Sequence, residues 1–544
     1  MCYMRTMRLW VVFLVACAHV PAVPTLPQMG HVHRAIATTS REAQAHFDAG
    51  LALAYGFNYD EAALEFEIAL RADPTCAMCW WGLGYVAGPT INDDGKQSPG
   101  AYPAAERAAR FAVTPVEKAL TSALTKRLAA NLMQYGTRPQ LHHAYAEAMR
   151  DVARRFPDDV DVLVLATEAL MVDTPRGPIW SKPDGAPSSP NIIEAQRLVE
   201  HALALAPDHI GAIHFYIHLL DDGPFQERTL PYAARLANLA PGAGHLIHMP
   251  SHVYLHLGRW ADADDANQRA ITADRHYLES APPGTGYEEF ANHPKDFLWY
   301  VLMWEGARKR TLEIARQLAN TPMAMMGADA RDSAGTYLPF TYIRFAMWDE
   351  ALALPDPDGR ASGVATHLAR GLALVAKGKL ADAAKEAAAI RDAGVSRSIP
   401  LVDLPPEAAS MIDDQKRRDE FRHLTAESAA LQVTAAIAEA RGDHAAAITA
   451  LREAVASEDK APAHGEPPAW PLSARHRLGA ALLAAGQPRE AAEAYREDLR
   501  RHPHNGWALF GLATALDALH DPSATATRRE FEAAWARSDV KLPL

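Results

Sequence analysis

The chain has 544 residues, of which 49% are hydrophobic and 22% are charged, and its formal net charge at pH 7 is −12. This length allows a large hydrophobic core and two or three structural units. The negative charge, together with the lack of a basic stripe along the sequence, argues against nucleic acid as a partner.

The N-terminal segment has the organisation of an export signal. Arg5 and Arg8 precede a short apolar run at residues 9–16, which is too short to span a bilayer and is typical of a signal peptide. The run ends in Leu-Val-Ala-Cys, which resembles the lipobox of bacterial lipoproteins, where the cysteine is lipidated and becomes the mature N-terminus. We therefore predict a lipoprotein signal peptide over 1–17, with Cys17 as the mature N-terminus. The protein is then exported to the periplasm or cell surface and contacts the membrane only through its lipid anchor. Ordinary signal cleavage nearby is the alternative.

Two cysteines remain once Cys2 and Cys17 are assigned to the signal, and these are Cys76 and Cys79. In an oxidising compartment they can form a disulfide. Their spacing also allows a redox-labile bridge, or a copper site that includes Met78. The sequence leaves these three alternatives open.

The rest of the chain has the pattern of paired helices. Alanine is abundant, apolar residues recur at spacings of three and four, and strand-like alternation is rare. Residues 57–62 form a turn motif in which the glycine is displaced to Gly56; the regular form of the motif starts at Gly258, Gly378, Gly442 and Gly486. This pattern resembles the tetratricopeptide repeat (TPR), a helix–turn–helix unit of about 34 residues that stacks into a right-handed superhelix. We predict an all-α, TPR-like α-solenoid.

The repeat pattern is interrupted by insertions rich in Pro, Gly or Ser, which lie near residues 175–191, 279–287, 393–409 and 457–471. We divide the chain at the third of these insertions. This predicts an N-terminal TPR-like block over 36–392 and a C-terminal TPR block over 410–544.

Histidines are concentrated in two bursts within the N-terminal block. The first burst contains His214 and His218, followed by Asp221, and the second contains His245, His248 and His252. Each residue advances the azimuth of a helix by about 100°, so each burst stays on one helix face. Two neighbouring helices would aim all these side chains into one space. A buried imidazole needs a polar partner, and a metal ion would supply one.

Several segments carry a more specific resemblance, namely residues 46–58, 73–82, 88–92, 214–218, 241–254 and 505–512. Together they resemble a large bacterial family of exported TPR proteins with these histidine motifs. Members commonly have Glu where this chain has Asp221. They also commonly have His-x-x-His where this chain has His293 and Asp296. The resemblance implies the fold, and it implies that His293 belongs to the histidine site; it implies no reaction.

The composition of this site indicates a transition metal. Imidazoles with one or two carboxylates suit copper, zinc or iron, and not calcium or magnesium. There are too many ligands for one tetrahedral zinc ion, which indicates either two ions or one ion surrounded by further histidines. Export favours copper or zinc, and Met249 beside His248 adds weight to copper. The predicted metal ligands are His214, His218, Asp221, His245, His248, His252 and His293.

Four other residues are candidates for a catalytic role. Glu168 and Glu305 interrupt apolar helices, where each can act as a ligand or base, or as a paired carboxylate between repeats. Tyr216 and Tyr254 lie on the same predicted helices as the histidines. They can donate hydrogen bonds to a metal-bound oxygen species or pack between repeats.

These observations lead to more than one functional hypothesis. The first is a metal-dependent oxidoreductase, with copper favoured, that acts on a small molecule or peptide on the concave face. The alternatives are a TPR scaffold for a peptide or protein partner, and a protein that stores or delivers metal without catalysis. His142 and His143 are adjacent in the sequence, and we predict that they lie on the surface. The sequence does not indicate an oligomeric state.

Overall fold

The protein is described by a computed structural model. The described residues are 28–91, 97–130, 138–174, 179–180, 186–221, 223–280, 291–320, 332–357, 359–395, 409–462 and 465–542. The predicted signal peptide over 1–17, including Cys17, lies outside them. Within the described residues all regular structure is helical and there is no strand. The prediction of an all-α solenoid is therefore confirmed.

The helices of the first half carry or support the histidine site. They are α1 (Arg41–Tyr55), α2 (Tyr59–Ala72), α3 (Ala77–Val86), α4 (Ala101–Phe111), α5 (Pro115–Arg127), α6 (Arg138–Arg155), α7 (Val160–Val172), α8 (Pro190–Leu205), α9 (Ile210–Leu220), α10 (Gln226–Leu239), α11 (Gly244–His248), α12 (Pro250–His256) and α13 (Trp260–Ser280).

The second half continues the array. Its helices are α14 (His293–Glu305), α15 (Arg308–Ala319), α16 (Tyr337–Arg344), α17 (Trp348–Leu352), α18 (Arg360–Ala376), α19 (Leu380–Gly394), α20 (Ala409–Ala440), α21 (His444–Lys460), α22 (Ala474–Ala484), α23 (Pro488–Arg501), α24 (Gly506–Ala518) and α25 (Ala524–Ala534). None of the described helices combines the length and apolar character needed to cross a membrane.

Each helix packs mainly against its neighbours along the chain, as in a solenoid. One buried apolar cluster runs from Met29 to Ala291, a second from Tyr254 to Leu472, and a third from Leu431 to Ala524. Consecutive clusters overlap in their sequence ranges. Helices α19 and α20, on either side of residues 396–408, also pack together across the predicted block boundary.

The turns between paired helices use a left-handed residue. At four of them a glycine has a φ of +67° to +78°, and these are Gly258, Gly378, Gly442 and Gly486. In the first repeat Phe57 takes this role with a φ of 64°. A bulky residue in this region is an outlier that the surrounding structure must hold in place. The displaced glycine in the sequence marks this turn, and the ring of Phe57 reaches the histidine site.

The last helices return to the middle of the array. The indole of Trp507 on α24 donates a hydrogen bond to the carbonyl of Met303 on α14, at 3.0 Å. The guanidinium of Arg537 contacts both carboxylate oxygens of Asp265 on α13, at 2.7 and 2.9 Å. The solenoid therefore closes on itself through contacts between residues more than 200 positions apart.

Cys76 and Cys79 form a disulfide at the start of α3. Both residues are buried in the first apolar cluster. Of the three alternatives that the sequence leaves open, the structure contains the disulfide.

Candidate metal centre

The first histidine group consists of His214, His218 and His245. Two of them lie one turn apart on α9, and the third lies near the start of α11. The Nε2 atom of His214 is 3.0 Å from the Nε2 atoms of both His218 and His245. One ring nitrogen from each residue falls within 4.8 Å of the others. Three imidazoles from two helices thus converge on one point.

The second histidine group consists of His248, His252 and His293. They come from the end of α11, from α12 and from the first residue of α14. The Nε2 atoms of His248 and His252 are 3.0 Å apart. The ring centroids of His248 and His293 are 4.7 Å apart. One ring nitrogen from each of the three residues again lies within 4.8 Å of the others.

The two groups are adjacent. The ring centroids of His245 and His248 are 6.1 Å apart, and those of His218 and His252 are 6.2 Å apart. The sequence predicts that the histidines meet in one space, and the structure arranges that space as two groups of three. The second burst is divided between them, because His245 belongs to the first group and His248 and His252 to the second.

The division falls where the local helix is interrupted. Met249 separates α11 from α12, and Pro250 begins α12. Proline lacks the N–H that a continuous helix would use at this point. The amide of His252 instead bonds to the carbonyl of Met249, three residues earlier. The side chain of Met249 packs into the apolar core.

Each group is oriented by partners that accept from Nδ1. His214 donates from Nδ1 to the backbone carbonyl of Tyr55 at 2.6 Å. His248 donates to the amide oxygen of Asn267 at 2.7 Å. The amide nitrogen of Asn267 donates to the carbonyl of Ala263 at 2.8 Å, which fixes its oxygen toward His248. A neutral imidazole that donates from Nδ1 carries a lone pair on Nε2.

The carboxylate of Asp221 orients His252 in the same way. The residue follows the last turn of α9, and its Oδ2 accepts from Nδ1 of His252 at 2.8 Å. Burial opposes ionisation, but the charge of His252 and its hydrogen bond hold the pKa of Asp221 well below its usual range. The other oxygen lies 3.5 Å from Nε2 of His256. Asp221 therefore supports a histidine on the side away from the shared Nε2 atoms.

The close Nε2 pairs have an electrostatic consequence. His248 and His252 both donate from Nδ1, and their Nε2 atoms face each other at 3.0 Å, so two lone pairs repel each other whenever both rings are neutral. A proton would relieve this repulsion, but burial lowers the pKa of His214 and His293 to about 3 and holds that of His248 well below its usual range. A cation between the rings relieves it without protonation. Nitrogens about 2.0–2.1 Å from one ion lie roughly 3 Å from each other.

Aromatic side chains wall the site. The ring of Phe57 lies 4.4 Å from that of His214 and 5.0 Å from that of His245, between centroids. The ring of Phe297 lies 4.4 Å from that of His252. These apolar faces exclude water from the imidazoles and lower the local dielectric. His218 and His293 are only partly buried, so each histidine group retains one member that solvent can reach.

Several site residues are absent from the sequence predictions. The Oε2 atom of Glu466 lies 3.7 Å from Nδ1 of His252. Asp221, His252 and Glu466 form a third group that could hold an ion. Asn267 and the carbonyl of Tyr55 come from helices outside the histidine bursts. Nothing in their local sequence marks them, because their roles arise from helix packing. His256 extends the face of His248 and His252 in the sequence, but it lies one turn further along the helix and is not among the predicted ligands; in the structure its Nε2 lies 3.5 Å from Asp221.

The candidate catalytic residues have other partners. Glu168 forms a buried ion pair with Arg127, with contacts of 2.5 and 3.1 Å. The hydroxyl of Tyr216 donates to Glu200 at 3.0 Å. The ring of Tyr254 lies under the guanidinium of Arg259. None of these three contacts involves the histidines.

Two carboxyl groups lie on α14, of which Glu305 is buried and Asp296 is half-buried. Burial, and then the charge of Asp264, raise the pKa of Glu305 to about 8. Burial raises the pKa of Asp296 to about 7, and Asp296 is hydrogen-bonded to Tyr337. Asp296 lies one turn after His293, where the resemblance leads to a second histidine, and it is not a member of the histidine groups.

The surface prediction for the adjacent pair holds for one residue only. His143 is exposed and contacts Asp173. His142 is buried on α6, so the surface prediction is wrong for it. Adjacent residues on a helix point in different directions, so the side chain of His142 faces the core while that of His143 faces solvent.

The fold and the site define a helical-repeat protein with a buried six-histidine cluster. A family model described as tetratricopeptide repeat matches residues 47–87 and 476–524. These two segments are therefore similar to the tetratricopeptide repeat, and the fold is a TPR-like α-solenoid. None of the curated proteins compared with it matches significantly in sequence.

Three solved structures align with most of the chain at low identity and low TM-score. The TPR domain of P58(IPK) is 12% identical, with a TM-score of 0.21 over 88% of this chain and 98% of that one. The Cut9–Hcn1 hetero-tetramer of the APC/C is 12% identical, with a TM-score of 0.26 over 92% and 95%. Naa15/Naa10 bound to HypK-THB is 12% identical, with a TM-score of 0.19 over 91% and 89%.

Proposed function

We propose that the two histidine groups bind two transition-metal ions, with three imidazoles for each ion. The observation that carries the proposal is the pair of Nε2 atoms at 3.0 Å in His248 and His252, both of which donate from Nδ1. Burial disfavours a proton on the His248 ring. The same 3.0 Å spacing recurs around His214 in the first group.

The ligand set suits copper and zinc better than iron, and of these two only copper has the redox chemistry of the proposed activity. Neutral imidazole suits all three metals, whereas a site without a first carboxylate ligand is less suited to iron. Three protein ligands leave an open position on each ion, which is the arrangement of a catalytic site and not of a closed structural one. Met249 adds nothing to this argument because its side chain packs into the core.

We further propose that the centre is that of a metal-dependent oxidoreductase. Bound copper supplies one-electron redox chemistry and reactivity toward dioxygen, and two adjacent ions match a two-electron oxidation of an organic substrate by dioxygen. The protein's own contribution is to fix the six imidazoles through Tyr55, Asn267 and Asp221, and to limit the access of water through Phe57 and Phe297.

We also propose that the protein is exported and lipid-anchored through Cys17. The sequence of residues 1–17 supports this location. The disulfide between Cys76 and Cys79 fits the same proposal, since disulfides persist mainly in oxidising compartments.

Elemental analysis of the protein purified from its native compartment tests the metal centre. We expect about two metal ions per chain. His248→Ala and His214→Ala remove one ligand from different groups, so each variant should lose most of the metal from its own group. His143→Ala is the matched control, since His143 is exposed and remote from the groups, and it should retain both ions. Full metal content in both ligand variants would refute the centre.

A scaffold without catalysis is the competing function, and the TPR match at residues 47–87 and 476–524 favours it. TPR arrays present extended concave surfaces to partners. Oxygen uptake by the copper-loaded protein in the presence of a reducing organic substrate separates the two. Metal binding without any oxygen uptake would leave storage, delivery or partner binding as the function.

A further inference from the structure

A cavity of about 300 Å³ adjoins the second histidine group. It lies between the start of α14, the segment before α16, the first turn of α18, the middle of α20 and residues 465–470. Such a volume is at the small end of the range for small-molecule sites and is too small for a folded partner.

Two residues connect this cavity to the histidines. Glu466 lines the cavity, and its carboxylate lies 3.7 Å from Nδ1 of His252. Asp296 also lines the cavity, and it lies one turn after His293 on α14. No histidine among the described residues lines the cavity, so a molecule in the cavity would face the second histidine group across Glu466 and Asp296.

The walls of the cavity include flat apolar surfaces that are fixed in place. The rings of Trp299 and Tyr337 meet edge to face, with their centroids 4.9 Å apart. The indole N–H of Trp299 donates to the hydroxyl of Thr341 at 2.9 Å. Phe340 meets Trp470 edge-on at 5.4 Å. With their orientations fixed by these contacts, the rings offer pre-organised faces to a planar, apolar body.

Three arginines line the same cavity, and they differ in their ion pairs. Arg418 is 2.9 Å from Asp414, and Arg422 is 3.6 Å from Asp419. Arg360, at the start of α18, is half-buried and makes no ion pair with the described residues. A guanidinium with its charge uncompensated is suited to bidentate recognition of a carboxylate.

The carboxylate of Asp332, which also lines the cavity, is occupied by backbone donors. Asp332 accepts from the amides of Arg360, Ala361 and Ser362 at 2.8 Å each. It also accepts from the hydroxyl of Ser362 at 2.8 Å. These donors satisfy the Asp332 carboxylate at the N-terminus of α18, which leaves the Arg360 side chain for a ligand.

From these contacts we infer that the cavity binds an organic carboxylate with a planar apolar body, held by Arg360 and the aromatic walls beside the second histidine group. This inference rests on the proposed function, because it identifies the substrate class of that metal centre. The carboxylate pairs with Arg360, and the apolar body lies against Trp299 and Trp470.

Calorimetric titration of the full chain with naphthalene-2-carboxylate tests the binding. The matched neutral probe is naphthalene-2-carboxamide, which has the same body and no charge. We expect the acid to bind and the amide to bind about 10- to 100-fold more weakly, which is the range for a charge-assisted contact. Arg360→Met should weaken binding of the acid by the same factor and leave binding of the amide unchanged. Arg489→Met, at an exposed arginine on α23, should change neither.

A second variant tests the cavity itself. Ala361→Phe places a ring in the cavity from a half-buried position on α18. It should therefore weaken binding of both the acid and the amide. The inference is overturned if acid and amide bind equally to the native protein. It is equally overturned if the folded Arg360→Met and Ala361→Phe proteins bind the acid as the native protein does.

A paramagnetic measurement tests the position beside the metal centre. Ring protons of the bound acid should relax faster on the Co²⁺-loaded protein than on the Zn²⁺-loaded protein, and equal relaxation would overturn the adjacency. The two failures are distinguishable. Loss of metal binding with intact acid binding refutes the metal centre alone, whereas intact metal content without acid binding refutes the cavity alone.

Discussion

At the scale of single residues, the orientation of His214 depends on a hydrogen-bond network that runs through Tyr55 to Asp161 and Arg34. The carbonyl of Tyr55 accepts from His214, and the hydroxyl of Tyr55 donates to Asp161 at 2.7 Å. Arg34 lies 3.3 Å from the same carboxylate. A buried charge of this kind is stable only while all its partners remain in place.

This network predicts a pH dependence of stability. Burial opposes ionisation of Asp161, but the hydrogen bond and charge of His209, the charge of Arg34 and the hydrogen bond from Tyr55 lower its pKa from 3.8 to about 2. The folded-state pKa is depressed, so the contribution of about 2 kcal/mol is fully present above pH 4 and is lost as the pH falls through 2.

Denaturant titrations between pH 5 and pH 2 check this expectation. Asp161→Asn should be less stable than the native protein at pH 5, and the difference should shrink toward pH 2. Asp262→Asn, at an exposed carboxylate paired with Arg259, is the control and should show no comparable trend. A difference for Asp161→Asn that stays constant across this range would contradict the role of the carboxylate.

Residue-level prediction from the sequence succeeded where helical phase decides the outcome. The pairs His214/His218 and His248/His252 do converge, because residues four apart share a face. The same phase places Tyr216 on the opposite side of α9, where it meets Glu200. The roles of Asn267 and Tyr55 as histidine partners cannot be predicted from the sequence. They depend on how helices that are not adjacent in sequence pack together, and no local sequence pattern indicates this packing.

At the scale of elements, the position of α11 depends on a glycine. A Cβ atom on Gly244 would lie 1.6 Å from Oδ1 of Asp274 on α13. A side chain can occupy that space only if the Asp274 carboxylate or α11 moves. Because α11 carries His245 and His248, its packing against α13 sets the distance between the two histidine groups.

Gly244→Ala should therefore displace α11 and lower metal content, with a loss of stability of roughly 1–3 kcal/mol from overpacking. Metal analysis and thermal unfolding measure the two effects. Gly100→Ala is the matched control at another helix start, where a Cβ atom would meet nothing within 4 Å. Equal metal content in the two variants would show that α11 tolerates the shift.

The elements themselves were largely predictable, because the turn motif repeats and each copy marks two helices. Gly258, Gly378, Gly442 and Gly486 all adopt the left-handed conformation that the motif needs. Phe57 was not predictable as a wall of the site. Its sequence shows only that the glycine is displaced, whereas its conformation depends on the histidine rings against which it packs.

At the scale of the whole molecule, the proposed anchor can be separated from the fold. Cys17→Ser should release the protein from the membrane fraction, because the acyl chains would supply most of the membrane affinity. Fractionation and immunoblotting measure the distribution. Cys2→Ser is the control, because it precedes the predicted cleavage point and should leave the protein anchored. A Cys17→Ser protein that remains in the membrane fraction with normal processing would contradict the lipid anchor.

The closure of the array by α24 on α14 changes how the molecule can deform. An open solenoid behaves like a spring, since each repeat touches only its neighbours and small rotations add up along its length. Here any such extension must first break the bond from Trp507 to Met303 and the ion pair from Arg537 to Asp265. Bending at one repeat is therefore resisted by the whole ring, and the molecule owes its stiffness to topology.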